Sequence, residues 1–328
     1  YSVQKLSSDP TAANVEGQLW YNSTAGAFKV SVAAAGAWAA ANSLNTARRT
    51  GANAKFGTQS AALTYGGEND TPSPSNSLAV NESYNGTSWT ELSNLNTARS
   101  ELGGLGTQTA AVAFGGYVSE TTTYQAITET WDGTSWTEVN NLNTTRGEMG
   151  STGTSTAGLS FGGYFPSHQT TGETWDGTCW TETADLQTSG YYIAGAGSST
   201  SALATGRGGN PGGPGALTEI YNGTSWSETG DLNALRDNGA AFGTVNTSAI
   251  FCGGYRPPAN PPVANSAQTE QFNGSTWTAL ADMGTARNFL VGCGTTTLGL
   301  VDMGTGGASA AAEEWSGSPI AVKTVTVS

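Results

Sequence analysis

The chain repeats itself, and self-similarity at a fixed period constrains a fold more than any single motif does. One segment recurs in the order Glu, any residue, an aromatic, Asn or Asp, Gly, two small residues, Trp. Its full copies run Glu82–Trp89, Glu129–Trp136, Glu173–Trp180, Glu219–Trp226 and Glu270–Trp277. A sixth copy is degraded: in Glu313-Glu314-Trp315-Ser316-Gly317, Ile320 stands where the Trp should be. Trp89, Trp136, Trp180, Trp226 and Trp277 are 47, 44, 46 and 51 residues apart, and Trp38 lies 51 before Trp89.

Two further signatures keep the same phase. After each Trp comes Leu-Asn-Thr-Ala-Arg or a relative, at Leu44–Arg48, Leu95–Arg99, Leu142–Arg146, Leu232–Arg236 and Met283–Arg287. Small-apolar runs then end in Gly66-Gly67, Gly115-Gly116, Gly162-Gly163 and Gly253-Gly254. The fourth copy is blurred at Gly206–Gly209 and the sixth ends at Met303-Gly304. Each set predicts four strands: one after the Arg, one ending at Gly-Gly, one carrying Glu-x-aromatic, one carrying Trp. The Asn-Gly and Asp-Gly pairs predict type I′ hairpin turns between the last two. Residues 43–328 give about 48 residues per set, the period of antiparallel four-stranded units. Gly36-Ala37-Trp38 matches a fourth strand without its own set, so residues 36–42 are expected to complete the last sheet; Ile320–Val325 is the alternative. Either choice removes an open sheet edge.

The Gly-Gly, the aromatic before a turn, the Trp after it and the trailing Arg resemble the kelch repeat, over roughly residues 43–317. The aromatic-to-Trp distance of 5 is shorter than in the usual kelch repeat, which implies a tighter turn. The resemblance implies an all-β fold: a six-bladed kelch-like β-propeller of four-stranded antiparallel blades spanning 36–328, preceded by an N-terminal β-hairpin segment, 1–35. Kelch folds serve enzymes, adhesion proteins and adaptors alike, so the fold does not choose a function.

Composition excludes several functions. With 12 basic and 25 acidic residues the formal charge is −13, and no basic cluster exists to displace phosphate counterions, so no nucleic-acid partner is expected. No apolar run reaches the roughly 20 residues of a membrane span, so no membrane insertion is expected. Three dispersed cysteines and one histidine, His168, give neither a metal site nor a disulfide framework, and no cofactor is expected. Cys179 stands where other copies carry Ser or Thr and is expected as a small packed residue. No catalytic spacing such as GxSxG, HExxH or a P-loop is present, and no catalytic residue is assigned. Galactose-oxidase-like kelch enzymes need two copper-binding histidines, which this chain lacks. A sialidase-like glycosidase is the nearest enzymatic rival, but the recurring arginines read as structural groups that pair with the repeat glutamates.

Function is expected where the repeat is broken. The connections between second and third strands, Glu68–Val80, Tyr117–Ile127, Tyr164–Gly172, Arg207–Leu217 and Tyr255–Gln268, vary while their surroundings repeat. They are expected on the same face as the Asn-Thr-Ala-Arg connections, presenting Tyr117, Tyr124, Tyr164, Phe165, Arg207, Tyr255 and Arg256. The fourth connection loses its Arg and gains Tyr191 and Tyr192. Tyr and Arg are frequent interface anchors, and loops on a rigid scaffold are a common recognition design.

The stretch Val15–Val30, with Glu16-Gly17-Gln18-Leu19-Trp20-Tyr21-Asn22, predicts a hairpin turning near Thr24–Gly26. It is similar to a short hairpin module of tailed-bacteriophage virion proteins. Trp20, Tyr21 and Phe28 would give two strands an apolar face they cannot bury alone, so an assembly-anchor role is expected. These features lead to the expectation of a non-enzymatic virion structural or attachment protein (a tail fibre, adaptor or decoration). Its expected partners are other virion proteins or identical subunits, and a host-surface glycan or protein. A secreted or cell-surface bacterial adhesin or lectin is the alternative.

Overall fold

The six sets of motifs become six four-stranded antiparallel sheets in the computed structural model, which describes residues 4–7, 19–33, 36–69, 76–209, 215–256, 264–304, 307–317 and 320–324. Parts of three variable connections (70–75, 210–214, 257–263), Val15–Gln18 of the hairpin and Val325 lie outside the described residues. The second sheet is typical: Gly103–Thr107, Ala110–Phe114, Thr128–Trp131 and Trp136–Val139 pair in chain order. Burial follows sequence. The small-apolar second strands are buried almost throughout, as a strand covered on both faces must be. The fourth strands bury little more than their Trp and turn the rest to solvent.

The sixth sheet is completed from the other end of the sequence. Ala37–Ala41 pairs antiparallel with Ala312–Ser316, placing Trp38 opposite Trp315 where the degraded sixth repeat lacks its own Trp. The alternative, Ile320–Val325, is overturned: Ile320–Thr324 pairs instead with Ala27–Ala33. That N-terminal sheet runs Gln4–Leu6, Leu19–Asn22, Ala27–Ala33, Ile320–Thr324, its first pair parallel and the rest antiparallel. The hairpin is thus present with its turn at 23–26, but as half of a four-stranded sheet.

The first strand of each sheet lies against the first strand of the next, and the sixth sheet's against the first sheet's. Buried apolar clusters fill each of these junctions. One joins Leu63 and Tyr65 to Trp131 and Trp136; another joins Cys293 and Leu300 of the last sheet to Tyr84 and Trp89 of the first. Within each sheet the third-strand aromatic stacks on the fourth-strand Trp at ring distances of 5.0 Å (Tyr84–Trp89) to 5.5 Å (Trp131–Trp136). Trp38–Trp315 continues the series at 5.3 Å.

The Asn-Gly and Asp-Gly turns differ from expectation. A type I′ turn needs positive φ at both central residues, but only the glycines have it, from 89° at Gly86 to 99° at Gly274. The loop has four residues, because Tyr84 pairs with Trp89. The Asn85 carboxamide oxygen accepts from the amides of Thr87 and Ser88, at 2.9 and 2.8 Å. Asp132 and Asp176 do the same, and these amides hold both carboxyls below their usual range. Asn and Asp interchange here because the turn uses the shared side-chain oxygen. Cys179, expected to be packed, is exposed in such a turn and donates its amide to Asp176.

Candidate functional site

Six buried ion pairs fix the connections that carry the candidate residues. Arg48–Glu82, Arg99–Glu129, Arg146–Glu173, Arg236–Glu270 and Arg287–Glu313 pair the repeat arginine with the repeat glutamate. Each glutamate also accepts backbone amides of the preceding connection, as Glu129 does from Asn96 at 2.7 Å. The sixth pair is Arg207–Glu219 at 2.7 Å. Arg207 was expected among the exposed recognition residues; it is fully buried and supplies the guanidinium that the fourth connection lacks.

The connections and the variable loops share one face, as the sequence predicts. In five repeats the residue after the arginine position bridges to the residue after the Gly-Gly position: Arg49 to Glu68, Ser100 to Tyr117, Gly147 to Tyr164, Tyr191 to Gly208, Asp237 to Tyr255. On this face the aromatics form a chain. Ring centres lie 5.0 Å apart for Tyr117–Tyr124, 5.7 Å for Tyr124–Tyr164 and 5.4 Å for Tyr124–Phe165. The chain continues through Tyr164–Tyr191 at 6.0 Å, Tyr191–Tyr192 at 5.0 Å and Tyr192–Phe289 at 5.4 Å. His168 stacks on Tyr191 at 4.8 Å, and the Arg49 guanidinium lies 5.4 Å from the Phe289 ring centre. Tyr255 and the exposed Arg256 stand in a separate short hairpin with Ala264–Asn265. Phe165 is 42% exposed, and the tyrosines of the chain are partly so.

Sequence reasoning missed His168, Phe289 and Arg49. Phe289 was findable: it sits two residues past a repeat arginine, where the sheets carry Thr50, Glu101, Glu148, Tyr192, Asn238 and Phe289 between recurring flanks. These six residues have φ from 52° to 58°, a left-handed conformation costing about 1–2 kcal/mol for a residue with a Cβ. Their amides explain the tolerance. Glu101 donates to the Thr50 carbonyl at 2.6 Å, Glu148 to Glu101 at 2.8 Å and Tyr192 to Glu148 at 2.7 Å. Phe289 donates to Asn238 at 2.9 Å and Thr50 to Phe289 at 3.3 Å.

The six side chains form the mouth of a cavity of ≈ 100 Å³ that also reaches Asn53, Lys55 and Ser151. Tyr124 donates to Glu148 Oε1 at 2.9 Å and Tyr192 to Glu101 Oε1 at 3.3 Å. Burial, then the neighbouring Glu148, pushes the Glu101 carboxyl well above the usual range; burial raises Glu148. Burial and the same carboxylates push the Tyr124 and Tyr192 hydroxyls upward. Burial also lowers the Lys55 ammonium to about 8, against a smaller opposing pull from Cys293.

In the N-terminal sheet Trp20 is buried, Tyr21 and Phe28 stack edge-on at 5.2 Å, and Leu19 and Phe28 are 42% and 43% exposed. Among the described residues no helix is long and apolar enough to cross a membrane, and no group of three or more His, Cys, Asp or Glu could hold a metal ion. Comparison of the sequence with protein-family models and with curated proteins finds no match to either.

Proposed function

We propose that the six sheets are blades of a closed, six-bladed kelch-like β-propeller, and that the chain is a non-enzymatic attachment or structural component of a bacteriophage virion. Closure is supported by the succession of first strands that returns from the sixth sheet to the first, and by the Ala37–Ala41 strand completing the sixth. The recognition reading rests on one observation above all: the continuous aromatic chain from Tyr117 to Phe289 on the variable-loop face. Partly exposed rings with hydrogen-bonding tips suit a sugar ring or an extended protein segment, because they bind through a broad face and lose little conformational entropy. The virion reading is supported by the hairpin that resembles phage modules and by the exposed Leu19 and Phe28 on its sheet, the anchor for neighbouring virion proteins or identical subunits.

One observation disfavours the glycosidase rival. The repeat arginines are buried in ion pairs and cannot gather around a substrate carboxylate. The decisive experiment is a mass-spectrometric inventory of purified particles with copy number. A fixed ratio to capsid or tail proteins supports the virion component. Recovery from a cell surface or medium without virion proteins overturns it in favour of an adhesin or lectin using the same face.

A further inference from the structure

The cavity beneath the six left-handed residues has carboxyl groups at one end and an ammonium at the other. At the mouth are Glu101 and Glu148, from equivalent positions of adjacent sheets. Lys55 reaches the cavity from five residues beyond Thr50 along the first sheet. Lys55 stands in the turn after the Ala52–Asn53 strand, and the neighbouring Phe56 amide donates to the Gly106 carbonyl at 2.7 Å, near the end of the Gly103–Thr107 strand away from Glu101, so the lysine enters from the opposite end. Between the two ends Asn53 is fully buried, and neither its carboxamide oxygen nor its nitrogen has a hydrogen-bond partner among the described residues. Glu101 Oε2 and Asn238 Oδ1 at the mouth also lack donors. Buried polar groups are paired in the great majority of native structures, so a cluster of unpaired ones lining one cavity points to a ligand.

The charge order selects its class. A simple cation would suit the two glutamates but would face Lys55. A simple anion would suit Lys55 and Asn53 Nδ2 but would have to pass the carboxyl pair. A molecule with an ammonium at one end and a carboxylate at the other satisfies both. The ≈ 100 Å³ volume limits it to a few heavy atoms. Leu102, Met149 and Ile193 line the wall and suit a short methylene spacer.

We infer that this cavity is a binding site for a small zwitterionic amino acid, its ammonium held by Glu101 and Glu148 at the mouth and its carboxylate by Lys55 and Asn53. The site is separate from the aromatic face and does not depend on the attachment reading.

The test is calorimetric titration of the whole chain with glycine, β-alanine and γ-aminobutyrate, beside ethylamine and propionate as single-charge analogues. One member of the amino-acid series should bind at least about tenfold more tightly than either analogue. Lys55→Met and Glu101→Gln should each weaken that binding by about tenfold or more. Thermal unfolding of the unliganded variants separates lost binding from lost folding. If a variant does not fold, the ligand panel on the unaltered protein decides alone. No binding by any amino acid at about 10 mM, or equal binding by ethylamine or propionate, overturns the inference.

Discussion

Gly190 and Arg207 have traded the places that arginine and glycine hold in the other repeats. In the first and fifth repeats the arginine ends the connection and the second glycine of the Gly-Gly pair lies against it: a Cβ on Gly67 would meet Arg48 Cδ, and one on Gly254 would meet Arg236 Cβ, each at 3.4 Å. In the fourth repeat a Cβ on Gly190 would meet Arg207 Cδ at 2.9 Å. The guanidinium therefore reaches the same buried glutamate position, Glu219, from the opposite strand. The neighbouring bridge is exchanged too: Gly147 faces Tyr164 in the third repeat, and Tyr191 faces Gly208 in the fourth.

Arg207→Gly should therefore destabilise the fold by about 3–5 kcal/mol, because it strands Glu219 as an uncompensated buried charge. Adding Gly190→Arg should recover a large part of that loss by restoring the ordinary arrangement. Denaturant unfolding of the single and double variants measures both numbers, and a double variant no more stable than Arg207→Gly would refute the exchange.

The same residues show how far the sequence can be read. Six in-phase sets of Gly-Gly, Glu-x-aromatic and Trp, two of them degraded, were enough to place four strands per repeat, because each motif marks a backbone event or a packing position. The extra Trp38 placed the completing strand for the same reason. Arg207 was misplaced because its burial depends on a partner, Glu219, that becomes adjacent only when the third strand pairs; composition alone made it a surface arginine in a variable loop. The cavity mouth was invisible for a related reason. Glu101, Glu148 and Tyr192 lie more than forty residues apart and share only a position relative to the arginine, so their convergence follows from the arrangement of sheets.

Asp302 should make stability fall as pH rises. It is buried in the second strand of the sixth sheet, accepts from Thr64 Oγ1 at 3.0 Å, and is pushed from 3.8 to about 7 by burial, against the opposing pull of Arg48. Below about pH 4 it is neutral in both the folded and unfolded chain. Between about 4 and 7 the unfolded chain releases the proton while the folded chain keeps it, so stability declines across that window by at most about 4 kcal/mol. Asp237, raised to about 6, acts in the same sense. Asp302→Asn keeps an acceptor for Thr64 and should flatten the slope between pH 4 and 7, measured by denaturant midpoints. An unchanged slope would show that Asp302 ionises normally.

Trp38 is the point where the two ends of the chain hold the sixth sheet together. Its ring packs 5.3 Å from Trp315 and 6.4 Å from Phe242, and its Nε1 donates to Thr269 Oγ1 at 2.9 Å. Trp38→Ala removes these contacts from a strand with no short loop to keep it in register, and should destabilise by about 3 kcal/mol. The released strand would uncover the edge of Ala312–Ser316, so amide exchange there should accelerate before exchange in Trp180–Thr183, whose hairpin is covalently short. Equal acceleration in both strands would mean that the seam is no weaker than the other sheets.

The aromatic face offers the sharpest separation of binding from stability. Tyr164 and Tyr191 are half-buried, linked at 6.0 Å, and lie at the centre of the chain that runs from Tyr117 to Phe289. Central, partly desolvated aromatics carry most of the energy in recognition surfaces, each worth about 2 kcal/mol or more on truncation. Tyr164→Ala and Tyr191→Ala should each weaken retention on a printed glycan array by about tenfold or more while shifting the unfolding midpoint little. Arg256→Ala, in the separate hairpin and exposed, should change retention less than either. Tyr192 is a poor first choice, because its hydroxyl also holds Glu101 and its loss would disturb the cavity mouth. If Arg256→Ala abolishes retention while both tyrosine variants bind normally, the recognition surface lies on the Tyr255–Arg256 hairpin rather than on the aromatic chain.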